Sequence, residues 1–325
     1  MTDGARPSNP SPEATDRSFG SGVLVHIGYH KTGTTWLQRT VFPREFGSFD
    51  LPWKLREVAG LFVHPHELEW EPGPVQDALG PGIAAAREAG LVPVVSSEEL
   101  SGNPHSGGHG SADYAGRLAR ALPGARVLIV VRRQPAMLES VYKQYVKRGG
   151  TQPAGRYFVP PPQWFRYRRC RLANWEYDRL VARYHRLFGA DRVKVLPQEL
   201  LATDSAAFVR EITDFCGARP IASLRTEREN IGLSALAAAL QRRTNRYFHR
   251  DDINEGAPFA WPRVAGAWRR LDALFLRRIA GPAERRLRRE VAALCAGRYE
   301  ESNARLAAMT GLDLARWGYA MRTPT

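Results

Sequence analysis

The sequence predicts an α/β fold, with a central parallel sheet flanked by helices and a mostly helical C-terminal part. Three observations predict it. Short apolar runs at residues 23–27, 91–96, 126–131 and 192–196 alternate with stretches of helical periodicity. The first run passes directly into a glycine-containing loop and a helical pattern. Beyond Gly217 the chain reads as mostly helix.

Residues 1–20, rich in Pro, Ser, Asp and Glu, lack the apolar core of a signal peptide and read as a disordered tail, leaving a single domain over residues 21–321. The apolar run at 23–27 is the first strand. It opens into Gly28-Tyr29-His30-Lys31-Thr32-Gly33-Thr34-Thr35-Trp36, and residues 36–42 continue as a helix. Unpaired N–H groups at a helix start attract an anion, and Gly28 and Gly33 let the backbone come close to one. Lys31 adds a point charge, and Thr34 and Thr35 add hydroxyl donors.

Residues 43–82 read as irregular, with several Pro and Gly, and residues 83–90 as a short helix. The run at 91–96 is a buried strand with Pro93 near its start, and Glu98 and Glu99 follow its carboxyl end. Residues 113–122 form a helix, Pro123-Gly124 a turn, and residues 126–131 the clearest strand. A helix over 135–148 places Met137, Leu138, Val141, Tyr142 and Tyr145 on one stripe and stops at Gly149-Gly150. Residues 151–171 form a long loop rich in Pro, Arg and aromatics, including Trp164, Phe165 and Tyr167. A helix over 172–188, a strand over 192–196 and a helix over 205–216 closed by Gly217 complete the alternation. In such a sheet ligands bind beyond the carboxyl ends of the strands, which brings Lys31, Glu98 and Arg132 to one rim.

Composition narrows the function. The 325 residues are 43% hydrophobic and 25% charged, and no apolar run approaches the roughly 20 residues of a membrane helix. The expected location is the cytoplasm. Cys170, Cys216 and Cys295 are far apart and odd in number, which gives neither a disulfide framework nor a zinc site. A net charge of +14 leaves three readings: nucleic acid, an anionic membrane or polysaccharide, or an anionic ligand in a basic pocket. Arg-rich stretches such as residues 284–290 also fit a solvated helix face.

The loop differs from the nucleoside-triphosphate pattern G-x-x-x-x-G-K-[ST], because Lys31 precedes Gly33 by two residues and no acidic magnesium partner follows a later strand. Lys31-Thr32-Gly33-Thr34-Thr35-Trp36 resembles the 5′-phosphosulfate loop of sulfotransferases that use 3′-phosphoadenosine 5′-phosphosulfate (PAPS). The resemblance implies a P-loop-like sulfotransferase fold and PAPS as sulfuryl donor, with no metal required. It assigns His30, Lys31, Thr32, Gly33, Thr34, Thr35 and Trp36 to the donor site. In that family an Arg at a strand end and a Ser eight positions later hold the 3′-phosphate, a spacing that Arg132 and Ser140 reproduce; Arg133 is the rival. Arg228 lies where the family has a basic loop over the same phosphate, although the Arg-Lys-Gly sequence is missing. Pro197 stands where the family has the Tyr that contacts adenine.

Sulfuryl transfer needs a base for the acceptor proton. The candidate is Glu98, with Glu99 as rival and His105 and His109 as further candidates. Strand alternation points only one of the two glutamates inward. The acceptor bears a hydroxyl or amine and belongs to carbohydrates, lipids or natural products, with a carbohydrate or glycosylated metabolite favoured. Two other functions compete. A P-loop kinase or nucleotide hydrolase would need magnesium and a different lysine position, and a basic polyanion binder without catalysis would follow from charge alone. No nucleic-acid motif is visible.

Overall fold

The computed structural model describes residues 19–161, 170–221, 232–250 and 253–322. Five strands form one sheet: β1 (Leu24–His26), β2 (Phe49–Asp50), β3 (Val92–Ser96), β4 (Arg126–Val131) and β5 (Val193–Pro197), in the order β2-β3-β1-β4-β5. Every pairing is parallel, with Val25 opposite Val95 on one side and Val127 on the other. Both faces are buried. Along β4, Val127, Ile129 and Val131 point into the larger core and Leu128 and Val130 into the smaller one, the two-residue alternation of a strand.

Helices α1 (Thr34–Thr40), α2 (Leu55–Phe62), α3 (Pro72–Glu88), α4 (Ser111–Ala121), α5 (Gln134–Lys147), α6 (Ala154–Phe158), α7 (Tyr177–Phe188), α8 (Gln198–Thr203) and α9 (Ser205–Cys216) accompany the sheet. Leu37 of α1 and Phe208, Val209 and Ile212 of α9 build the smaller core. Helices α2 to α5 and α7 cover the opposite face. The C-terminal part is helical: α10 (Ala235–Phe248), α11 (Pro262–Leu271), a π-turn at Asp272–Leu276, α12 (Arg277–Ile279), α13 (Gly281–Cys295) and α14 (Glu300–Thr310). The α/β class and the helical C-terminal part are as the sequence predicts.

Local differences have physical causes. The region read as irregular holds α2 and most of α3, because Pro72, Pro74 and Pro81 obscure a stripe of Val75, Leu79, Ile83 and Ala86. The long loop contains α6, and the helix expected from 172 begins as a 3-10 turn at Leu172–Trp175 before α7. Cys170, Cys216 and Cys295 are buried and unpaired. Among the described residues no helix is long and apolar enough to cross a membrane.

Candidate active site

Because β3, β1 and β4 are parallel neighbours, the segments leaving them open onto one rim. Beyond β1 the backbone stays against β4, with Ile27 N–H donating to Leu128 O at 3.1 Å and Tyr29 N–H to Val130 O at 3.2 Å. It then turns. The Thr32 hydroxyl donates to Tyr29 O at 2.5 Å, and Lys31 takes φ 69°, a left-handed conformation that costs a non-glycine residue roughly 1–2 kcal/mol. At Gly33, φ is 101° and a Cβ would stand 2.6 Å from Leu201 Cδ2. The loop is thus held in a strained shape by its neighbours. The Thr34 hydroxyl is buried and finds no partner among the described residues, a donor left over for a ligand. Thr35 is half-buried, and Trp36 packs partly on the smaller core.

The turn after β3 brings two carboxylates to this loop. Glu98 and Glu99 begin a 3-10 turn at Glu98–Ser101, capped by the Ser97 hydroxyl, which accepts from Glu99 N–H at 3.3 Å. Both approach the buried His30: its Nδ1 lies 3.3 Å from Glu98 Oε1 and its Nε2 3.9 Å from Glu99 Oε1. Strand alternation therefore does not separate the two glutamates, since the chain has already left the strand. Hydrogen bonding does: the Asn103 amide donates to both Glu99 oxygens, at 3.3 and 3.0 Å, whereas Glu98 faces His30 and Lys31.

Burial pushes the Glu98 pKa upward, but the hydrogen bond and charge of His30, with Lys31 and His26 behind, outweigh it and hold the carboxyl below its ordinary value. Burial lowers the Lys31 pKa against the opposing pull of Glu98, with Lys147 and Arg132 lowering it further. His26, beneath the rim, is pushed down to about 4 by burial and stays neutral; its Nδ1 lies 2.8 Å from Ser96 Oγ. His105 is pushed down to about 3 by burial and lies 2.7 Å from the Tyr157 hydroxyl. It is part of an aromatic cluster with Tyr145 and Tyr157.

The third segment leaves β4. Arg132 is half-buried and donates from Nη1 to Lys31 O at 3.1 Å, while Tyr177 Oη donates to Arg132 O at 2.7 Å. Its Nε is buried with no partner among the described residues. Arg133 is tied to Glu199, with its N–H donating at 3.0 Å and its guanidinium 3.7 Å from the same carboxylate, and it lines the same cavity as Arg132. Arg132 and Ser140 share the wall of a cavity of about 1070 Å³. The loop residues Lys31, Thr34 and Thr35 do not line it; Arg132 joins loop to cavity. Arg228 and the aromatics Trp164, Phe165 and Tyr167 lie outside the described residues, although Gly232 and Ser234 are on the cavity wall.

The sequence reading missed two things. His30 faces the glutamate pair, a contact between segments 68 positions apart that spacing alone does not reveal. The far wall of the cavity carries Arg277, Arg278, Arg285 and Arg288 from the C-terminal helices. Their signal was the Arg-rich run itself, which in sequence is indistinguishable from a solvated face.

The loop, the carboxylate turn and the arginine-walled cavity adjoin one another, on a sheet whose strand order places them together. Residues 109–220 match the family model described as "Sulfotransferase family", a segment that includes Arg132 and Ser140 and begins after the loop and Glu98. The fold resembles that of a sulfotransferase from Alicyclobacillus acidocaldarius, at 19% identity and a TM-score of 0.50, over 91% of this chain and 98% of that one. No curated protein matches the sequence. The chain is thus similar to sulfotransferases over residues 109–220 in sequence and over most of its length in fold.

Proposed function

We propose that this protein transfers a sulfuryl group from PAPS to a hydroxyl or amine acceptor. The observation that carries the reading is the convergence of the Lys31 loop, Glu98 and Arg132 on one rim, with the buried Thr34 hydroxyl and Arg132 Nε left unpartnered beside it. A donor with phosphates at both ends of a nucleoside suits two anion sites joined by Arg132.

In this mechanism the loop backbone, Thr34 and Thr35 hold the 5′-phosphate, and Arg132 and Ser140 hold the 3′-phosphate. Arginine fits this work because its planar fork pairs with phosphate oxygens. Glu98, ionised because its pKa is held down, accepts the acceptor's proton. The acceptor oxygen bonds to sulfur as the bond from sulfur to the 5′-phosphate oxygen breaks, and Lys31 neutralises the charge gathering on that oxygen. The products are the sulfated acceptor and adenosine 3′,5′-bisphosphate. The basic loop around residues 156–171 and the carboxylate base favour a carbohydrate or glycosylated acceptor.

Calorimetric titration with adenosine 3′,5′-bisphosphate, with ADP as control, tests the reading. Binding that needs the 3′-phosphate and weakens in Arg132→Ala supports it. Equal binding of ADP, or none of either, overturns it and returns the kinase reading to the field.

A further inference from the structure

The most unusual surface lies away from the rim. Ten large apolar side chains are exposed among the described residues, and seven of them fall between Tyr247 and Ile279. They belong to one helical hairpin, α10 with α11, the π-turn and α12. At its closed end Phe248, Phe259 and Trp261 group together, with ring centroids 5.6–6.0 Å apart. Along the second arm Leu271, Leu274, Phe275 and Ile279 recur at the spacing of one helix face, and they are 42%, 57%, 63% and 65% exposed. Single exposed apolar residues need no explanation, but a concentration of this kind marks a docking surface.

Charge identifies what docks there. Residues 241–279 hold nine arginines against four carboxylates. One of those carboxylates, Asp272, is buried and accepts from Ser234 N–H and Arg277 at 2.9 Å each. Arg243, Arg246, Arg263, Arg269 and Arg270 are all exposed on the same hairpin. A second copy packed symmetrically on this face would set arginine against arginine. A polyanion such as nucleic acid would pair with the charges but leave Leu274, Phe275 and Ile279 in water. Aliphatic and aromatic side chains on an arginine-rich helix instead match the interface of an anionic lipid bilayer, with the apolar stripe among the acyl chains and the guanidinium groups on the headgroups.

We propose that the α10–α12 hairpin docks the protein on anionic membrane surfaces. Arg277 and Arg278 lie on this arm and also on the cavity wall, so docking would hold the cavity close to the lipid. The proposal stands apart from the sulfuryl-transfer reading, because the apolar stripe and Arg243, Arg246, Arg263, Arg269 and Arg270 take no part in that chemistry.

Co-sedimentation of the full chain with vesicles tests it, using phosphatidylcholine alone or mixed with phosphatidylglycerol. The expected result is binding to the mixed vesicles only, weakened at high salt, and weakened roughly tenfold or more in the double variant Leu274→Glu, Phe275→Glu. Both side chains are exposed, so circular dichroism and the thermal midpoint should not change. A second variant, Arg263→Ala with Arg270→Ala, should weaken binding while leaving the apolar stripe intact. Absence of binding to mixed vesicles overturns the proposal, as does equal binding by the Glu double variant. A dimer seen by light scattering that the same variant dissociates, without vesicle binding, would assign the face to a second copy and also overturn it.

Discussion

His30 stands between the Lys31 loop and the carboxylate turn, with its Nδ1 3.3 Å from Glu98 Oε1. Its ring is buried, and its nitrogens have no described partner beyond the two glutamates. A carboxylate at the edge of a cavity could rotate freely. Here a histidine from the preceding loop fixes one glutamate while Asn103 holds the other. The pair therefore couples the Lys31 loop to the candidate base, so moving one moves the other.

Replacing His30 by Ala should shift the acidic limb of kcat/KM to higher pH. The sign follows from Glu98: burial raises its pKa, and the contact and charge of His30 are the largest influences bringing it down. Without them burial dominates and the carboxyl takes a proton earlier as pH falls. Stability follows the same sign. A depressed folded-state pKa gives stability that is present above the unfolded value and lost as pH falls through the folded one, so the variant loses that margin. A pH–rate profile with thermal melts near neutrality and in acid reads both, and an unmoved acidic limb would remove His30 from this role.

Lys31→Ala should lower kcat by at least about 10²-fold, the scale for losing one preorganised charge at a reacting oxygen, with the fold intact. Because Lys31 has φ 69°, Lys31→Gly should be more stable than Lys31→Ala by roughly 1 kcal/mol and yet equally inactive. Assaying both separates loss of charge from loop strain. Activity in the Gly variant near that of the unmodified chain would show that the ammonium does no chemistry.

The neighbouring arginines should part company. Arg132→Ala should weaken adenosine 3′,5′-bisphosphate by about 2 kcal/mol, or roughly thirtyfold, and leave ADP unaffected. Arg133→Ala should change affinity little, since that guanidinium lies against Glu199, but it should loosen the start of α5. Calorimetry on both variants decides the assignment, and reversal of the two effects would move the 3′-phosphate to Arg133.

The legible parts of this molecule are local. Strand β4 and helix α9 are as expected because a buried β run and a glycine-closed amphipathic helix each sit within one window of sequence. The turn from β1 into α1 was legible in shape because the apolar run, the glycines and the helical pattern follow one another directly in the chain. What was not legible depends on distant chain segments meeting. Glu98 and Glu99 are equivalent in sequence and differ only through Asn103 and His30. The C-terminal arginines look solvated until α12 and α13 turn them toward α5. Proline hid α3 because sequence rules weigh its helix-breaking role above the stripe around it.

The closing segment depends on a buried amide pair, which gives the last prediction. The Gln134 amide at the start of α5 donates to Asn303 Oδ1 at 2.7 Å, and the Asn303 amide donates to Ala320 O at 2.9 Å. Both side chains are buried, so a lost partner is not replaced by water. Asn303→Leu keeps the volume but leaves the Gln134 amide only its 3.3 Å bond to Trp175 O, a loss of about 1–3 kcal/mol, while the carbonyl of the exposed Ala320 turns to water. Unfolding should therefore be easier by roughly 1–3 kcal/mol. Gln134 lies two residues from Arg132, so affinity for adenosine 3′,5′-bisphosphate should fall as well. Denaturant unfolding measures the first effect and calorimetry the second. A variant as stable as the unmodified chain would show that the C-terminal segment is held by packing of Leu314 and Tyr319 rather than by this pair.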